Sequence, residues 1–276
     1  MMRQKIGIFL AVFLLLALDS ATTPLHAATI QVPGDYKTIQ EAVNNASPGD
    51  FILVGDGEYS ENVVVKKAVI LKSANGPAKS LIRAAVKREP AVILKEVDGA
   101  TVAGFTLTGS GKAGLFLSKT RNSRIVNNRA DNNYNGVTLE SSDHNILSNN
   151  TANSNVSYGF YLLRSKSNRM EKNNANSNQD QGIFLSYSNN NALINNNANL
   201  NTWNGITLWD SHGNELRENV TLRNAFGLVR VDSDDNVMDG NTSLPNIFLI
   251  LPIVLIYIGI ISYLVQKNAL RYIYRV

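Results

Sequence analysis

The sequence predicts an all-β fold, a parallel β-helix solenoid of about eight or nine stacked coils. Three observations predict it: a fixed repeat of 22 or 23 residues, apolar columns in phase with that repeat, and asparagine columns in the same phase. A period of this length is typical of solenoid proteins, in which each repeat stacks on its neighbours. The chain has 276 residues and no cysteine, so the fold cannot depend on disulfides.

Each repeat begins at a glycine, and the steps between successive glycines are 22, 23, 23, 23 and 22 residues. Counting each glycine as position 0, position +1 is apolar, position +3 is leucine except for Arg230, and position +2 is mixed, which is the alternation of a short strand with one buried face. Positions +11 and +16 add two further inward points, so each coil is predicted to be triangular. The glycines are Gly114, Gly136, Gly159, Gly182, Gly205 and Gly227.

Asparagine recurs at positions +9, +14 and +19, as in Asn168, Asn173 and Asn178. Asparagine tolerates the left-handed backbone region at turns, and stacked side-chain amides can hydrogen-bond in ladders. The alternative is a disordered asparagine-rich tract. Disorder would not keep three asparagine columns in phase with three apolar ones, so the columns predict stacked turns.

The N-terminal region is interpreted as a signal peptide followed by a cap. Residues 1–27 contain a basic start, an apolar run and small residues, which is the pattern of a secretory signal. An uncleaved N-terminal anchor is the alternative. Residues 28–48 are expected to cap the first coil, with helical spacing over residues 36–45. The β-helix is predicted over residues 28–243, with the repeats from 91 and earlier strands at 30–32, 51–54, 63–65 and 69–71.

The C-terminal residues predict a membrane anchor at residues 246–266. The segment 247–265 has 19 residues without a charge, which is long enough to span a bilayer as a helix. The basic tail, residues 267–276, then places the C-terminus in the cytoplasm. Signal and tail account for the net charge of +4, so the outer domain is close to neutral and does not indicate nucleic-acid binding. The predicted localisation is a single-pass membrane protein whose β-helix is exported.

The run TIQVPGDYKTIQEAVNNASPGDFILVGDGEYSENVVVKKAVILKS resembles the N-terminal segment of right-handed β-helix proteins in the pectin-lyase-like superfamily. The later repeats, G-hydrophobic-x-L-x-x-S-x-x-N-x-[ILM]-x-x-N-x-A, resemble NosD-like proteins. These families are described as periplasmic copper-binding proteins and as carbohydrate-binding or sugar-hydrolase (CASH) repeats. The resemblance covers residues 29–241 and implies a right-handed parallel β-helix. It is specific for the fold, because the matching motifs are structural.

Copper, which this resemblance implies, is not expected from the residues. A soft-metal site uses clusters of Cys, Met or His. Outside the predicted signal the histidines are His144 and His212, three coils apart, and Met170 and Met238 fall in the apolar +11 column. No metal site and no cofactor are therefore predicted.

A carboxylate pair is the main candidate for catalysis. Asp210 and Asp232 share position +5 on adjacent coils, so their backbones should lie about 5 Å apart. That is close enough to share a proton, and a divalent cation held between the two is an alternative left open. With His212 or Arg164 the pair would suit a polysaccharide lyase, epimerase or hydrolase. The structural interpretation is a solvated turn, where aspartate is common; no catalytic motif of the pectin-lyase type can be matched residue by residue.

An aromatic stripe is the main candidate for binding. Position +2 points outward and, with the neighbouring turn positions, carries most aromatic residues of the repeats. Such a stripe suits stacking against sugar rings, and exposed apolar patches often mark interaction sites. The alternative is that the rings pack on one another. The predicted substrate-binding residues are Phe116, Tyr161, Phe184, Tyr187, Trp203 and Trp209.

Three hypotheses about function follow. The favoured one is a membrane-anchored, non-catalytic β-helix that binds a polysaccharide or a surface protein through the aromatic residues. The second is a carbohydrate-active enzyme that uses the aspartate pair. The third rests on the resemblance alone and is an accessory role in the maturation of a copper enzyme.

Overall fold

The structure is a computed structural model that describes residues 27–273. Residues 1–26, which hold nearly all of the predicted signal peptide, and residues 274–276 lie outside the described residues. So do the side chains of residues 249, 250, 253 and 268–273, which include much of the predicted basic tail.

The described chain contains many short strands and few helices. The first helix is α1 (Ile39–Asn45) and the second is α2 (Ile247–Ile273). In chain order the strands are β1 (Thr29–Val32), β2 (Phe51–Val54), β3 (Gly57–Ser60), β4 (Val63–Val65), β5 (Ile70–Ser73), β6 (Ser80–Arg83), β7 (Val92–Lys95), β8 (Thr101–Ala103), β9 (Thr106–Thr108), β10 (Ala113–Ser118), β11 (Arg124–Val126), β12 (Asn135–Glu140), β13 (Ile146–Ser148), β14 (Phe160–Leu163), β15 (Arg169–Glu171), β16 (Ile183–Ser186), β17 (Ala192–Ile194), β18 (Asn204–Trp209), β19 (Glu215–Arg217), β20 (Val220–Asn224), β21 (Phe226–Val231), β22 (Val237–Asp239) and β23 (Thr242–Pro245).

The strands form three faces of a parallel solenoid of about nine coils, which confirms the predicted fold. The first face is a ten-stranded sheet in the order β1-β2-β5-β8-β11-β13-β15-β17-β19-β22. The second face begins as β3-β6-β9 and ends as β20-β23, and single-residue parallel bridges connect the coils between them. The third face is an eight-stranded sheet in the order β4-β7-β10-β12-β14-β16-β18-β21.

Strand pairing follows the repeat. On the third face Leu139 of β12 pairs with Leu162 of β14, and on the first face Leu147 of β13 pairs with Met170 of β15. Each pair joins the same repeat position on adjacent coils. The apolar columns at +1, +3, +11 and +16 therefore stack inside and form one continuous core, as predicted.

The repeat glycines are needed for space. A Cβ atom built on Gly182 would lie 2.6 Å from Asn201 Nδ2 and 2.8 Å from the Cβ of Ala198. Neither distance is tolerable for non-bonded atoms, because close-packed interiors leave no room for an added methyl group. The glycine thus lets the last part of the coil, with Ala198 and Asn201, pack closely against the start of the strand that opens the same coil.

The asparagine columns are buried hydrogen-bonded ladders. Asn173 Nδ2 donates to Asn196 Oδ1 at 3.0 Å and to the Leu147 carbonyl at 2.9 Å. Its Oδ1 accepts from the backbone N–H and from Nδ2 of Asn150, both at 3.0 Å. The ladders were predicted, but the ladder asparagines are not the residues in the left-handed region. The residue before each one is, as with Lys172 at φ 54°.

A further buried ladder occupies position +6. The backbone N–H of each residue in this column except the last, Ser233, donates to the hydroxyl of the residue one coil later, for example from Ser165 to Ser188 Oγ at 3.0 Å. The repeat pattern contains this serine, but the sequence reasoning assigned it no role. Its members are Thr120, Ser142, Ser165, Ser188, Ser211 and Ser233.

Helix α1 closes the N-terminal end of the solenoid. Thr38 and Glu41 form a capping box, and Ile39, Ala42 and Val43 are buried against the first coils. The predicted capping helix is therefore present, although it begins at Ile39 rather than near residue 36.

The C-terminal helix α2 follows the last strand directly and contains Pro252. Of the residues that the structure describes, none form a helix that combines the length and the apolar character needed to cross a bilayer. The transmembrane span predicted over residues 246–266 is thus not supported.

Candidate functional site

The centre of the third face carries a cluster of aromatic rings. Strands β14 and β16 place Tyr161 and Phe184 opposite each other, and their rings stack with centroids 5.3 Å apart at 14°. Tyr158, in the turn before β14, packs on both rings at 5.0 and 5.2 Å. Because all three side chains are half-buried, the rings stabilise one another while part of each remains accessible.

More exposed aromatic side chains surround this cluster. Tyr187, Trp203 and Trp209 are 51%, 56% and 47% exposed, and Phe116 is half-buried. The structure therefore brings the six predicted binding residues to one face and its edges, but separates them into a packed pair (Tyr161 and Phe184) and individually exposed rings. Side chains of this size that are half open to solvent offer surfaces for stacking.

Charged groups border the aromatic cluster. Burial raises the pKa of the Asp180 carboxyl, and a hydrogen bond from Tyr158 opposes that shift. Burial is also the main cause of the raised pKa of Tyr161, which a hydrogen bond from Ser186 and the charge of Arg164 oppose. Arg164 therefore acts on the aromatic cluster, although it was predicted together with the aspartate pair.

The remaining predicted catalytic residues meet at the last two coils. Asp210, His212 and Asp232 line an open cleft together with Arg230, Ser233 and Asp234. His212 Nε2 lies 3.0 Å from Asp210 Oδ1, and His212 Nδ1 accepts the backbone N–H of Asp234 at 3.0 Å. Since Nδ1 is an acceptor, the proton is on Nε2 and the imidazole donates to Asp210. Arg164 is two coils away.

Each of these residues also occupies a structural position. Asp210 and Asp232 have φ of 45° and 46°, and the +5 column is left-handed in all six glycine-led repeats. His212 belongs to an outer column at +7, in which a side-chain acceptor takes the backbone N–H of the next coil. The backbone N–H of His212 donates to Asn189 Oδ1, and the backbone N–H of Asp234 donates to His212 Nδ1 in the same way. The cleft can hold a small polar ligand, but its geometry is accounted for by the repeat.

The residues do not fit a copper centre. The chain has no cysteine, and Met170 is fully buried in the core column. His144 and His212 are three coils apart, about 14 Å at the strand spacing. Within residues 27–273, as far as they are described, no three or more His, Cys, Asp or Glu side chains are arranged to hold a metal ion.

A second cleft, of about 300 Å³, lies on the third face along β10 and β12. The sequence placed Phe116 and Thr138 in the outward +2 column, with Tyr134 beside it, but it indicated no cleft and assigned no role to Asn135. The detectable signal is the run YNGVT at residues 134–138, which recurs as WNGIT at residues 203–207. The lining residues are Pro90, Gly111, Lys112, Ala113, Phe116, Tyr134, Asn135 and Thr138.

Comparison with known proteins gives a family match and one curated relative. Residues 43–248 match the family described as "Periplasmic copper-binding protein (NosD)". The relative is a "Cell surface glycoprotein" of Methanothermus fervidus, 28% identical over 131 residues. These residues are 47% of this chain and 21% of the relative, so the chain spans about a fifth of the length of that protein.

Solved structures share the fold at low sequence identity. Pectate lyase Pel9A is 14% identical with a TM-score of 0.60, covering 78% of this chain and 79% of the lyase. The N-terminal fragment of bacteriophage Phi29 gene product 12 is 15% identical with a TM-score of 0.61, covering 69% and 39%. A mutant of the periplasmic alginate epimerase AlgG is 19% identical with a TM-score of 0.52, covering 77% and 55%. At these identities the likeness concerns the fold alone.

Proposed function

Because this chain belongs to the NosD family, whose match covers residues 43–248, we propose that it is an exported surface protein that binds a polysaccharide along its third face. The observation that carries the proposal is the stacked pair of Tyr161 and Phe184, bordered by half-exposed tryptophans. Aromatic faces bind the apolar faces of sugar rings, and polar groups at the edges can bind hydroxyls.

The direction of the face suits a chain-like ligand. The outward positions of the third face recur on successive coils at about 4.8 Å along the solenoid axis. A linear polymer laid along that axis would meet a ring or a polar side chain at each coil. A compact ligand would use only part of such a surface.

The localisation is part of the proposal. The matched relative is named as a cell surface protein and the family is described as periplasmic, and both descriptions agree with the secretory pattern of residues 1–27. We also propose that α2 holds the protein at a membrane, because side chains such as Phe248, Tyr257 and Val265 are 82%, 65% and 62% exposed. Apolar surface of this extent is rarely left in contact with water.

The function can be tested by direct binding. The full chain in detergent would be titrated with alginate, pectate and cellulose polymers, the first two because the fold neighbours are named for them. Binding should weaken about tenfold or more, equivalent to about 1.4 kcal/mol, in Tyr161→Ala and Trp209→Ala. Leu200→Ala is the control, because Leu200 is 52% exposed but lies in a turn outside the third face. Equal losses in all three variants, or no binding to any polymer, would contradict the proposal.

A catalytic function is the second candidate, favoured by the contact between His212 and Asp210 in the acidic cleft. A carboxylate and an imidazole in contact can transfer protons during cleavage or epimerisation of a sugar chain. This hypothesis predicts new reducing or unsaturated ends on incubation with alginate or pectate, and their loss in Asp210→Asn. Unchanged polymer would leave the cleft with its structural role. No copper chemistry is derived, because the described residues do not fit that metal.

A further inference from the structure

Two runs of the sequence repeat the same five-residue pattern, an aromatic residue followed by Asn-Gly, a β-branched residue and threonine. They are residues 134–138 and residues 203–207, 69 residues apart. Three repeats separate them, which is about 14 Å along the solenoid at the strand spacing. Both lie at the start of a third-face strand, β12 and β18.

The first run forms a small site together with Phe116 on the previous coil. Asn135 Nδ2 donates to Thr138 Oγ1 at 3.3 Å, and Thr138 is only 8% exposed. The residue paired with Thr138 on the previous coil is Phe116. Tyr134, 49% exposed, forms the opposite wall. Together these four residues line the cleft of about 300 Å³.

The second run repeats this arrangement. Asn204 Nδ2 donates to Thr207 Oγ1 at 2.8 Å, and Thr207 is 3% exposed. Its partner on the previous coil is Phe184, and Trp203 takes the place of Tyr134. A phenylalanine therefore precedes the threonine by one coil in both copies, and a large half-exposed ring stands at the edge in both.

The second copy also contains an unsatisfied acceptor. Gln181 holds the repeat position of Ala113, and its Oε1 is buried without a hydrogen-bond partner. Among the described residues it is the one buried side-chain nitrogen or oxygen without a partner. A buried acceptor without a donor is costly, so packing alone does not account for the glutamine at this position.

The chemistry of both copies suits a sugar ring. Each threonine oxygen accepts from an asparagine amide, so its hydroxyl hydrogen remains available to donate. Each copy therefore offers aromatic walls, a recessed hydroxyl and an amide, which match a ring with an apolar face and equatorial hydroxyls. Tyr158 and Tyr161 lie on the coil immediately after the first copy, between the two sites.

We propose that these are two copies of one sugar-binding subsite, subsite A (Phe116, Tyr134, Asn135 and Thr138) and subsite B (Phe184, Trp203, Asn204 and Thr207), and that a single polysaccharide chain occupies both at once. The inference rests on the proposed function and adds where on the third face the polysaccharide is held. Occupying the second subsite is then an intramolecular step, so affinity rises sharply once the ligand is long enough to reach both.

The two subsites differ in charge. Lys112 lies two positions before Gly114, on the coil that carries Phe116 of subsite A. Asp180 lies two positions before Gly182, on the coil that carries Phe184 of subsite B. Lys112 lines the cleft of subsite A and is only loosely paired, 3.4 Å from Glu89. Subsite A should therefore accept an anionic sugar, whereas the carboxylate at subsite B should select a sugar that donates hydroxyls. A bound chain of alternating or mixed composition would consequently have a preferred direction.

The test is a length series on the full chain in detergent. Alginate, pectate and cellulose oligosaccharides, from disaccharide to octasaccharide, would be titrated by calorimetry into the unmodified protein and into Tyr134→Ala, Trp203→Ala and the double variant. We expect the affinity of the unmodified protein to rise about a hundredfold or more at the length that spans both subsites. Either single substitution should abolish that step, and the double variant should lose affinity for short ligands as well.

Val237→Ala is the matched control, because Val237 is 53% exposed but lies on the first face in β22. Val237→Ala should keep the rise in affinity at the length that spans both subsites. It also shows whether the loss of an exposed side chain by itself perturbs folding. Affinity that rises smoothly with length, or a step that survives Tyr134→Ala, would overturn the inference and leave the proposed function standing. No binding of any series to the unmodified protein would overturn both.

Discussion

Replacement of a ladder asparagine in the middle of the solenoid should cost far more stability than replacement of an asparagine on the surface. Asn173 is fully buried, and its side chain makes four hydrogen bonds of 2.9 to 3.0 Å to groups on the neighbouring coils. In Asn173→Ala all four are lost. The backbone N–H of Asn150, which donates to Asn173 Oδ1, is then left in the interior without that acceptor.

The magnitude follows from these bonds. At about 1 kcal/mol for each hydrogen bond, the free energy of unfolding should fall by about 4 kcal/mol. Asn127→Ala is the matched control, because Asn127 is an exposed turn residue with φ 52°. Its cost should be at most about 1 kcal/mol, since alanine is slightly less tolerant of the left-handed region.

Urea denaturation of the full chain in detergent, followed by circular dichroism, would measure both changes. The result that refutes the reasoning is a loss in Asn173→Ala no larger than in Asn127→Ala. The amide ladder would then be a by-product of coil stacking, and the apolar columns alone would hold the coils together.

Two further predictions concern groups with competing roles. His212→Asn should unfold at the same urea concentration as the unmodified chain, because Asn189 already accepts the backbone N–H of the next coil in the same column. In His212→Ala the free energy of unfolding should fall by about 1 kcal/mol. Equal losses in the two variants would mean that the imidazole itself is needed. Burial raises the pKa of the Asp131 carboxyl, against the hydrogen bond from Asn153 and the charge of Arg129. The folded state therefore binds this proton more tightly than the unfolded state, so stability should increase as the pH falls through the raised pKa. Asp131→Asn keeps the acceptor and should remove this pH dependence in urea melts recorded from neutral to mildly acidic pH; an unchanged slope would show that other groups cause it.

The binding and catalytic interpretations now rest on different parts of the molecule. The aromatic residues lie on the third face, whereas the acidic cleft occupies the last two coils. Arg164 lies two coils before the acidic cleft, and its charge opposes the effect of burial on the pKa of Tyr161. A variant at the centre of the third face, such as Tyr161→Ala, should therefore leave the acidic cleft intact, and the two functions can be tested independently there.

Sequence alone determined the coil. The spacing of Gly136 and Gly159, the alternation in GVTL and the asparagine columns predicted the faces, the inward residues and the ladders. These features depend on local geometry repeated at a constant period, and a stacked repeat contacts only its neighbours. The early strands β2 and β4 were predicted to the residue from short apolar runs between turn residues. Strands β3 and β6 were missed because β3 (Gly57–Ser60) is mostly polar and β6 has only two apolar residues, Leu81 and Ile82, so neither shows a clear alternation.

Only the tertiary structure decided how side chains from different coils combine. It showed that the left-handed residue precedes each ladder asparagine, that His212 completes an outer column, and that Tyr161 and Phe184 pack on each other. It also showed that Asn135 and Asn204 each donate to the threonine three residues later. Contacts of this kind depend on which residues face each other across adjacent coils, and a side chain's exposure is known only after its neighbours have been placed.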